Sequence, residues 1–344
     1  SSAGMGPAGS RVMTMGLRLQ IRPYSFALTR SLRTAAGEWQ QRRGWLLRLE
    51  SPSGRCGWGE VSPLESVEQR RCARAMTELA GRFSPSLTEA ELEQHLMVSP
   101  GAVAFGLGAA LAEVQELLGG AAGESWLPAP SSAQLLPAGG GMPAALERLL
   151  AESPAQDHPL TVKWKAAATA DAEEWRLLEW LRDSLPRRSK LRLDANGGWC
   201  RQTAQRWVET LQGDPRLEWL EQPLMADDLE GHRSLLARVP VALDEGLRKH
   251  PAWREHWPGW QVRRPSLEGD PRPLLRQLQQ GVPRLMLSTA FETGIGARWL
   301  AHLAALQLQG PTPTAPGLAP GWSPQGPLFS SDPEQVWAAS EAMA

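Results

Sequence analysis

Only three cysteines, one tyrosine and six histidines occur in 344 residues. Cys56, Cys72 and Cys200 are odd in number and show no C-x-x-C spacing. That argues against a disulfide scaffold and a zinc knuckle, and fits a reducing compartment. The histidines are scattered, with no H-x-H or H-E-x-x-H pattern, so zinc is not expected. No stretch approaches the roughly 20 apolar residues a membrane span needs. The start, 1–15, is rich in Gly, Ser and Ala and lacks the apolar core of a signal peptide, so it reads as a flexible lead with Met13 or Met15 nearer the functional start. A cytoplasmic location and no membrane partner are the expectations. A formal charge of −1 gives no electrostatic reason to expect nucleic acid. The basic run Arg187, Arg188, Lys190, Arg192 is too short to change that. Oligomeric state leaves no trace in the sequence, and the sixteen tryptophans suggest no function.

What the chain does have is a change of period. From Gly16 to Glu60 apolar residues alternate (Leu17, Leu19, Ile21) or run together (Trp45 to Leu49), with a Ser53-Gly54 turn between strands. Helical spacing follows near 67–83, 88–96 and 103–118. Strands followed by helices predict an α+β unit over 16–125. The Gly- and Pro-rich stretch 119–132 marks a boundary. Beyond it short apolar strands alternate with amphipathic helices. The expected strands are 133–136, 160–164, 191–193, 217–220, 241–243, 260–263 and 284–287, with an eighth hidden in the Pro-rich 311–319. This repetition predicts a (β/α)8 TIM-like barrel over 126–315, with an open doubly wound sheet as the alternative. The remainder, 316–344, is expected to return to the first domain. Asp171 and Glu174 have the spacing of a helix capping box.

The chemistry-bearing residues sit at strand ends. Lys163 and Lys165 end the second barrel strand, Asp194 the third, Glu221 the fourth and Asp244 the fifth, each carboxylate about one strand-helix unit after the last. The C-terminal ends of barrel strands converge on one face, so the three carboxylates should share a cleft. Crowded carboxylates repel and need a cation, and an oxygen-only donor set suits Mg²⁺. A lone acid after a strand is usually a cap or a surface charge. Three on consecutive strands, in register with two lysines, form a pattern.

That pattern, together with Gly57-Trp-Gly-Glu-Val-Ser-Pro63 in the first domain, resembles the enolase superfamily. Leu191-Arg-Leu-Asp-Ala-Asn196, Arg264-Pro-Ser-Leu-Glu-Gly269 and Ser288-Thr-Ala-Phe-Glu-Thr293 are most similar to its o-succinylbenzoate synthase group. The likeness runs from about Gly16 to Phe329. It implies an N-terminal α+β capping domain over a TIM-like barrel, and a syn-dehydration of a small carboxylate, 2-succinyl-6-hydroxy-2,4-cyclohexadiene-1-carboxylate, in menaquinone or phylloquinone synthesis. It implies Lys165 as the base, Lys163 beside it, and Asp194, Glu221 and Asp244 as ligands of Mg²⁺ (Mn²⁺ in its place). Arg192 is expected to orient Lys163 or Lys165, and Asn196 to bind substrate or orient its neighbours. Ser288, Thr289 and the Gly294–Gly296 loop are expected to bond the succinyl carboxylate. Cap loops near Leu28–Gly37 and Glu60–Ser66 would exclude water.

One position departs from the pattern. Arg264 stands where the family usually has a second lysine. Arginine keeps its proton at working pH, so it is a poor acceptor. A racemase on this fold needs bases on both faces of the substrate, whereas a one-base elimination does not. Arg264 therefore favours the dehydratase over the nearest rivals, a muconate cycloisomerase or an N-acylamino-acid racemase. A non-catalytic metal-binding barrel would show a lost ligand or base, and none is lost here.

Overall fold

A computed structural model of the chain describes residues 16–34, 37–82, 86–119, 125–152 and 159–343. The lead 1–15 and part of the 119–132 boundary lie outside the described residues.

The first unit is an antiparallel meander of β1 (Arg18–Thr34), β2 (Gly37–Glu50) and β3 (Cys56–Val61), followed by α1 (Ser66–Arg82), α2 (Glu89–Val98) and α3 (Gly101–Val114). Leu47, Leu49 and Val61 turn inward against Val103, Leu107 and Leu111, as alternation along a strand requires. The Gly57-Trp-Gly59 motif acquires a steric reason. A Cβ on Gly57 or Gly59 would collide with the carbonyl of Ala110 or Gly106, so β3 lies directly on the α3 backbone. Helix α3 is buried almost all round. Its other side sends Phe105, Ala109 and Ala112 into a core shared with Leu274, Leu285 and Trp299 of the second unit. The two units thus share α3 as a common wall.

The second unit is a parallel sheet in chain order: β4 (Gln134–Leu136), β5 (Thr161–Lys165), β6 (Lys190–Asp194), β7 (Leu217–Glu221), β8 (Val241–Leu243), β9 (Trp260–Arg263) and β10 (Leu285–Leu287). Between and after them run α4 (Met142–Glu152), α5 (Asp171–Ser184), α6 (Arg201–Leu211), α7 (Leu229–Leu236), α8 (Glu245–Lys249), α9 (Pro265–Glu268), α10 (Arg272–Gln280) and α11 (Gly294–Leu308). The gap between β10 and β4 is spanned by the Pro-rich segment. Gly317 N–H donates to Leu287 O (2.8 Å), Thr289 N–H to Gly317 O (3.0 Å), and Ala133 N–H to Pro316 O (3.0 Å). That segment takes the eighth position. Outward residues such as Val162, Trp164, Leu193, Leu220 and Leu243 pack under the helices, whereas Trp219, Ala242, Val262 and Met286 form a separate inner core. Tryptophan supplies bulk on both sides: Trp175 and Trp199 stack on Trp207 at 4.6 and 4.7 Å, and Trp219 leans on Trp260 at 4.8 Å.

The capping box expected at Asp171 is absent. The N-cap is Ala170, without a side-chain bond, and Asp171 instead accepts from the indoles of Trp175 (3.0 Å) and Trp207 (3.4 Å). Glu174 folds back over the preceding turn, accepting from the N–H groups of Ala167, Ala168 and Thr169 (2.8, 3.1 and 3.3 Å). A turn with three free donors competes better for that carboxylate than one helix terminus does. At the far end α12 (Pro333–Ser340) lies on the cap, where Arg22 Nη1 donates to Trp337 O (2.8 Å) and Trp337 meets Trp58 edge-on at 5.8 Å.

Candidate active site

Register brings the predicted residues together. Trp164 faces the helices, so its neighbours Lys163 and Lys165 face the barrel interior. Lys165 pairs with Asp194, and Asp194 with Glu221, in one row across the C-terminal edge. Asp244 follows β8 directly. Lys163 Nζ stands 3.0 Å from Asp194 Oδ2 and 2.8 Å from Glu221 Oε2. Arg264 forks onto Asp244, with Nε 3.1 Å from Oδ1 and Nη2 2.9 Å from Oδ2, while Nη1 donates to Thr289 O at 2.6 Å. Among the described residues, Lys165 Nζ has no hydrogen bond or ion pair.

Electrostatics follow from this pairing. Burial pulls the Lys163 pKa down, but the Asp194 and Glu221 carboxylates outweigh it and hold the ammonium firmly charged. Burial pushes Asp244 up, and Arg264 and Arg248 overcome it, leaving Asp244 well below the usual carboxylate range. Glu221 is raised by burial, against the pull of Lys163.

Behind the acids lie supports that sequence reasoning missed. Gln222, fully buried, accepts from Asp244 N–H (3.0 Å) and Gly246 N–H (2.9 Å) and donates to Leu224 O (3.0 Å). It therefore fixes the start of α8 and the backbone of Asp244. His232 Nδ1–H donates to Asp228 O (2.6 Å), leaving Nε2 to accept from Leu224 N–H (3.1 Å). From the cap, the buried Glu60 carboxylate accepts from Tyr24 Oη (2.7 Å), Thr293 N–H (3.0 Å), Gly296 N–H (3.0 Å) and Thr293 Oγ1. Arg42, also buried, donates to Pro63 O (2.6 Å), Ser62 O (2.9 Å) and Ala290 O (3.1 Å), tying the cap loop to the barrel mouth. The Gly-Trp-Gly-Glu motif held a signal for Glu60: an acid inside an apolar strand has to find donors.

The orienting role expected of Arg192 is corrected, and Ser288 and Thr289 have partners within the protein. Arg192 reaches neither lysine. It lies deeper in the barrel, 4.2 Å over Trp219, bonded to Glu218 (2.5 Å), Thr314 Oγ1 (2.9 Å) and Ala315 O (2.6 Å). A bulge between Leu191 and Arg192 puts Glu218 within its reach. Ser288 Oγ faces Gly317 O (3.4 Å) in the barrel seam, and Thr289 Oγ1 donates to Glu292 (2.7 Å). The turn at Gly294 already holds an anion, because Glu60 takes the N–H groups of Thr293 and Gly296; Gly294 itself leaves room for Ser330 O. Asn196 turns to the acids, its Nδ2 3.4 Å from Asp194 Oδ2 and 3.1 Å from Glu245 Oε1.

As arranged here, no group of three His, Cys, Asp or Glu among the described residues forms a ready metal cage. Lys163 lies between two of the acids, and Arg264 covers the third. The donor set nevertheless fits a hard divalent ion. It is all oxygen, and Glu245 Oε2 beside it is buried with no partner.

A capped barrel with acids on three consecutive strand ends defines a class, and the chain is similar to known proteins of that fold. The family described as enolase C-terminal domain-like matches residues 146–256, and that described as MenC, N-terminal domain, matches residues 18–114. The o-succinylbenzoate synthase of Thermosynechococcus vestitus is 34% identical over 83% of this chain and 88% of its own. That of Yersinia enterocolitica is 28% identical over 77% and 79%. A crystal structure of o-succinylbenzoate synthase from Thermosynechococcus elongatus, complexed with Mg in the active site, superposes with a TM-score of 0.75, 30% identity and 94% and 99% coverage. The L-Ala-D/L-Glu epimerase of Bacillus subtilis shares the fold (TM-score 0.68, 19% identity, 90% and 91% coverage). The chain therefore belongs to the enolase superfamily, and within it to the o-succinylbenzoate synthase family. No helix among the described residues is long and apolar enough to cross a membrane.

Proposed function

We propose that Lys165 is the base of a syn-dehydration that converts 2-succinyl-6-hydroxy-2,4-cyclohexadiene-1-carboxylate to o-succinylbenzoate and water, within menaquinone or phylloquinone synthesis. The observation that carries this is the Lys165 amine, unpaired among the described residues and in strand register with Asp194 and Glu221.

Asp194, Glu221 and Asp244 would hold Mg²⁺, or Mn²⁺ on the same oxygens. When bound, the ion supplies positive charge against the second negative charge that develops on the substrate carboxylate. Lys165, in its neutral form, takes the proton next to that carboxylate, and the C–H electron pair moves into the enediolate. As the pair returns to the ring, the C–O bond breaks, and Lys165 gives its proton to the departing hydroxyl on the same face. Water leaves, the ring becomes aromatic, and the amine is restored. Lys163 adds positive charge beside Asp194 and Glu221. Arg264, permanently charged and forked onto Asp244, faces the developing charge as a fixed cation and offers no second base. Arg42 and Glu60 fasten the cap over the mouth and so help keep water out.

The test is absorbance-monitored conversion of the cyclohexadiene substrate, with Mg²⁺ and with chelator, for wild type and Lys165→Ala. Metal-dependent aromatisation that the variant loses supports the reading. No turnover by folded, metal-loaded wild type would remove this reaction and leave the metal site a different substrate.

A further inference from the structure

We propose that Glu292 is a positioning residue that sets the Arg264 guanidinium by fixing, on both sides, the chain segments that carry it. The inference rests on the reading of Arg264 as the fixed cation of the site.

Arg264 has two kinds of anchor. One is the Asp244 carboxylate, which is also assigned to the metal. The other is the Thr289 carbonyl, 2.6 Å from Nη1, and it does not depend on the metal. The direction of that carbonyl is set by the turn 289–292, and the turn is built around Glu292. Its Oε2 accepts from Thr289 Oγ1 (2.7 Å) and its Oε1 from Ala290 N–H (2.7 Å), while Thr289 Oγ1 accepts from Phe291 N–H (2.8 Å). Phe291 is held at φ +64°, a left-handed conformation that a bulky residue adopts only when its surroundings enforce it.

The same carboxylate reaches α9, the short helix that follows Arg264. Ser266 Oγ donates to Glu292 Oε1 at 2.7 Å, two residues beyond Arg264 in the Arg264-Pro-Ser266 turn. Arg264 N–H is itself held by Glu268 Oε1 at 2.9 Å. One buried side chain, 4% exposed, therefore clamps both the segment that follows Arg264 and the segment that presents its acceptor. Glutamate suits the task because all three partners donate to it as arranged, two hydroxyls and an N–H, and its two oxygens take all three. Gln keeps one oxygen for the Ala290 N–H, but its NH₂ has to be accepted by a hydroxyl, which must then turn its own O–H away and reverse the bond that now holds Thr289 or Ser266.

The experiment is a kinetic double-mutant cycle on Arg264→Ala and Glu292→Gln, reading kcat and KM separately, with Mg²⁺ affinity by calorimetry. Glu292→Gln is expected to lower kcat roughly 10- to 100-fold, as a misplaced charged group does, with KM and Mg²⁺ affinity nearly unchanged. In the Arg264→Ala background it should lower kcat no further. An equal loss in both backgrounds, or wild-type kcat in folded Glu292→Gln, overturns the proposal. If Arg264→Ala alone keeps wild-type kcat, the catalytic role of Arg264 fails, and this inference goes with it. Should Glu292→Gln not fold, Ser266→Ala removes one bond to the same carboxylate. It should give a smaller kcat loss that also vanishes in the Arg264→Ala background; a loss that persists there counts against the proposal.

Discussion

Lys163 Nζ lies 2.8 Å from Glu221 Oε2, and the same ammonium is 3.0 Å from Asp194 Oδ2. The lysine thus sits on oxygens that the proposed metal would use. Lys163→Ala should destabilise the metal-free protein by about 3 kcal/mol, since removing one member of a buried ion pair strands the other. It should also bind Mg²⁺ more tightly, because a competing cation is gone, while turnover falls. Thermal melts and calorimetric titration with Mg²⁺ check this. An unchanged Mg²⁺ affinity would show that ammonium and metal do not compete.

Lys165→Ala should behave differently, because Lys165 has no ionic partner among the described residues. Turnover should fall by about 10²- to 10⁴-fold, the range for a lost general base. Stability should move by less than about 0.5 kcal/mol. Rapid kinetics and urea unfolding on one preparation give both numbers. A large stability loss would point to a structural lysine.

Arg264 makes a prediction about what the protein does not do. Wild type should not racemise an N-succinyl amino acid, because the guanidinium cannot take a proton on the second face. Polarimetry reads this directly. An appreciable rate would overturn the one-base reading.

How far the sequence carried depends on what each residue's partners are. Asp194, Glu221 and Asp244 could be placed because strand period and strand-end position are local properties, and a parallel barrel converts them into proximity. The seven strands emerged for the same reason, whereas the eighth position in 311–319 has no strand period and forms only an isolated bridge, Gly317 to Ser288. Arg192 could not be placed correctly. Its two-residue offset from Asp194 was right, but the bulge that delivers Glu218 leaves no local signature. Glu60, Gln222 and Glu292 were missed as supports because each serves donors distant in sequence or on another element, such as Thr293 for Glu60 and Asp244 for Gln222. Glu174 shows the limit from the other side: a correct local motif lost to three better-placed N–H groups.

Glu60→Ala should loosen the cap from the barrel. It leaves the hydroxyl of Tyr24 and the N–H groups of Thr293 and Gly296 buried without an acceptor. The expected loss is about 3 kcal/mol, the scale for stranding buried donors of a charged acceptor. Urea unfolding measures it, and hydrogen exchange should quicken at the start of α11. Unchanged exchange there would show that Glu60 is not what orders that turn.

His232 predicts a pH dependence. Burial lowers its pKa below the ordinary histidine value, and both ring nitrogens are already committed to the neutral form, Nδ1 as donor and Nε2 as acceptor. A proton on Nε2 would face the Leu224 N–H. The folded state therefore resists the proton that the unfolded chain accepts near pH 6.5. The unfolded state binds more protons in that window, so stability rises with pH. The contribution is complete above about pH 6.5 and is lost as pH falls through the depressed folded value. His232→Gln cannot titrate. Its unfolding free energy should fall less than that of wild type between about pH 7.5 and about pH 5. His232 Nε2 also lies 3.5 Å from Gln222 Nε2, and Gln222 holds the backbone of Asp244, so the acid-side loss in wild type should be accompanied by weaker Mg²⁺ binding at pH values where the protein is still folded. Parallel pH profiles for wild type and His232→Gln would remove both expectations together.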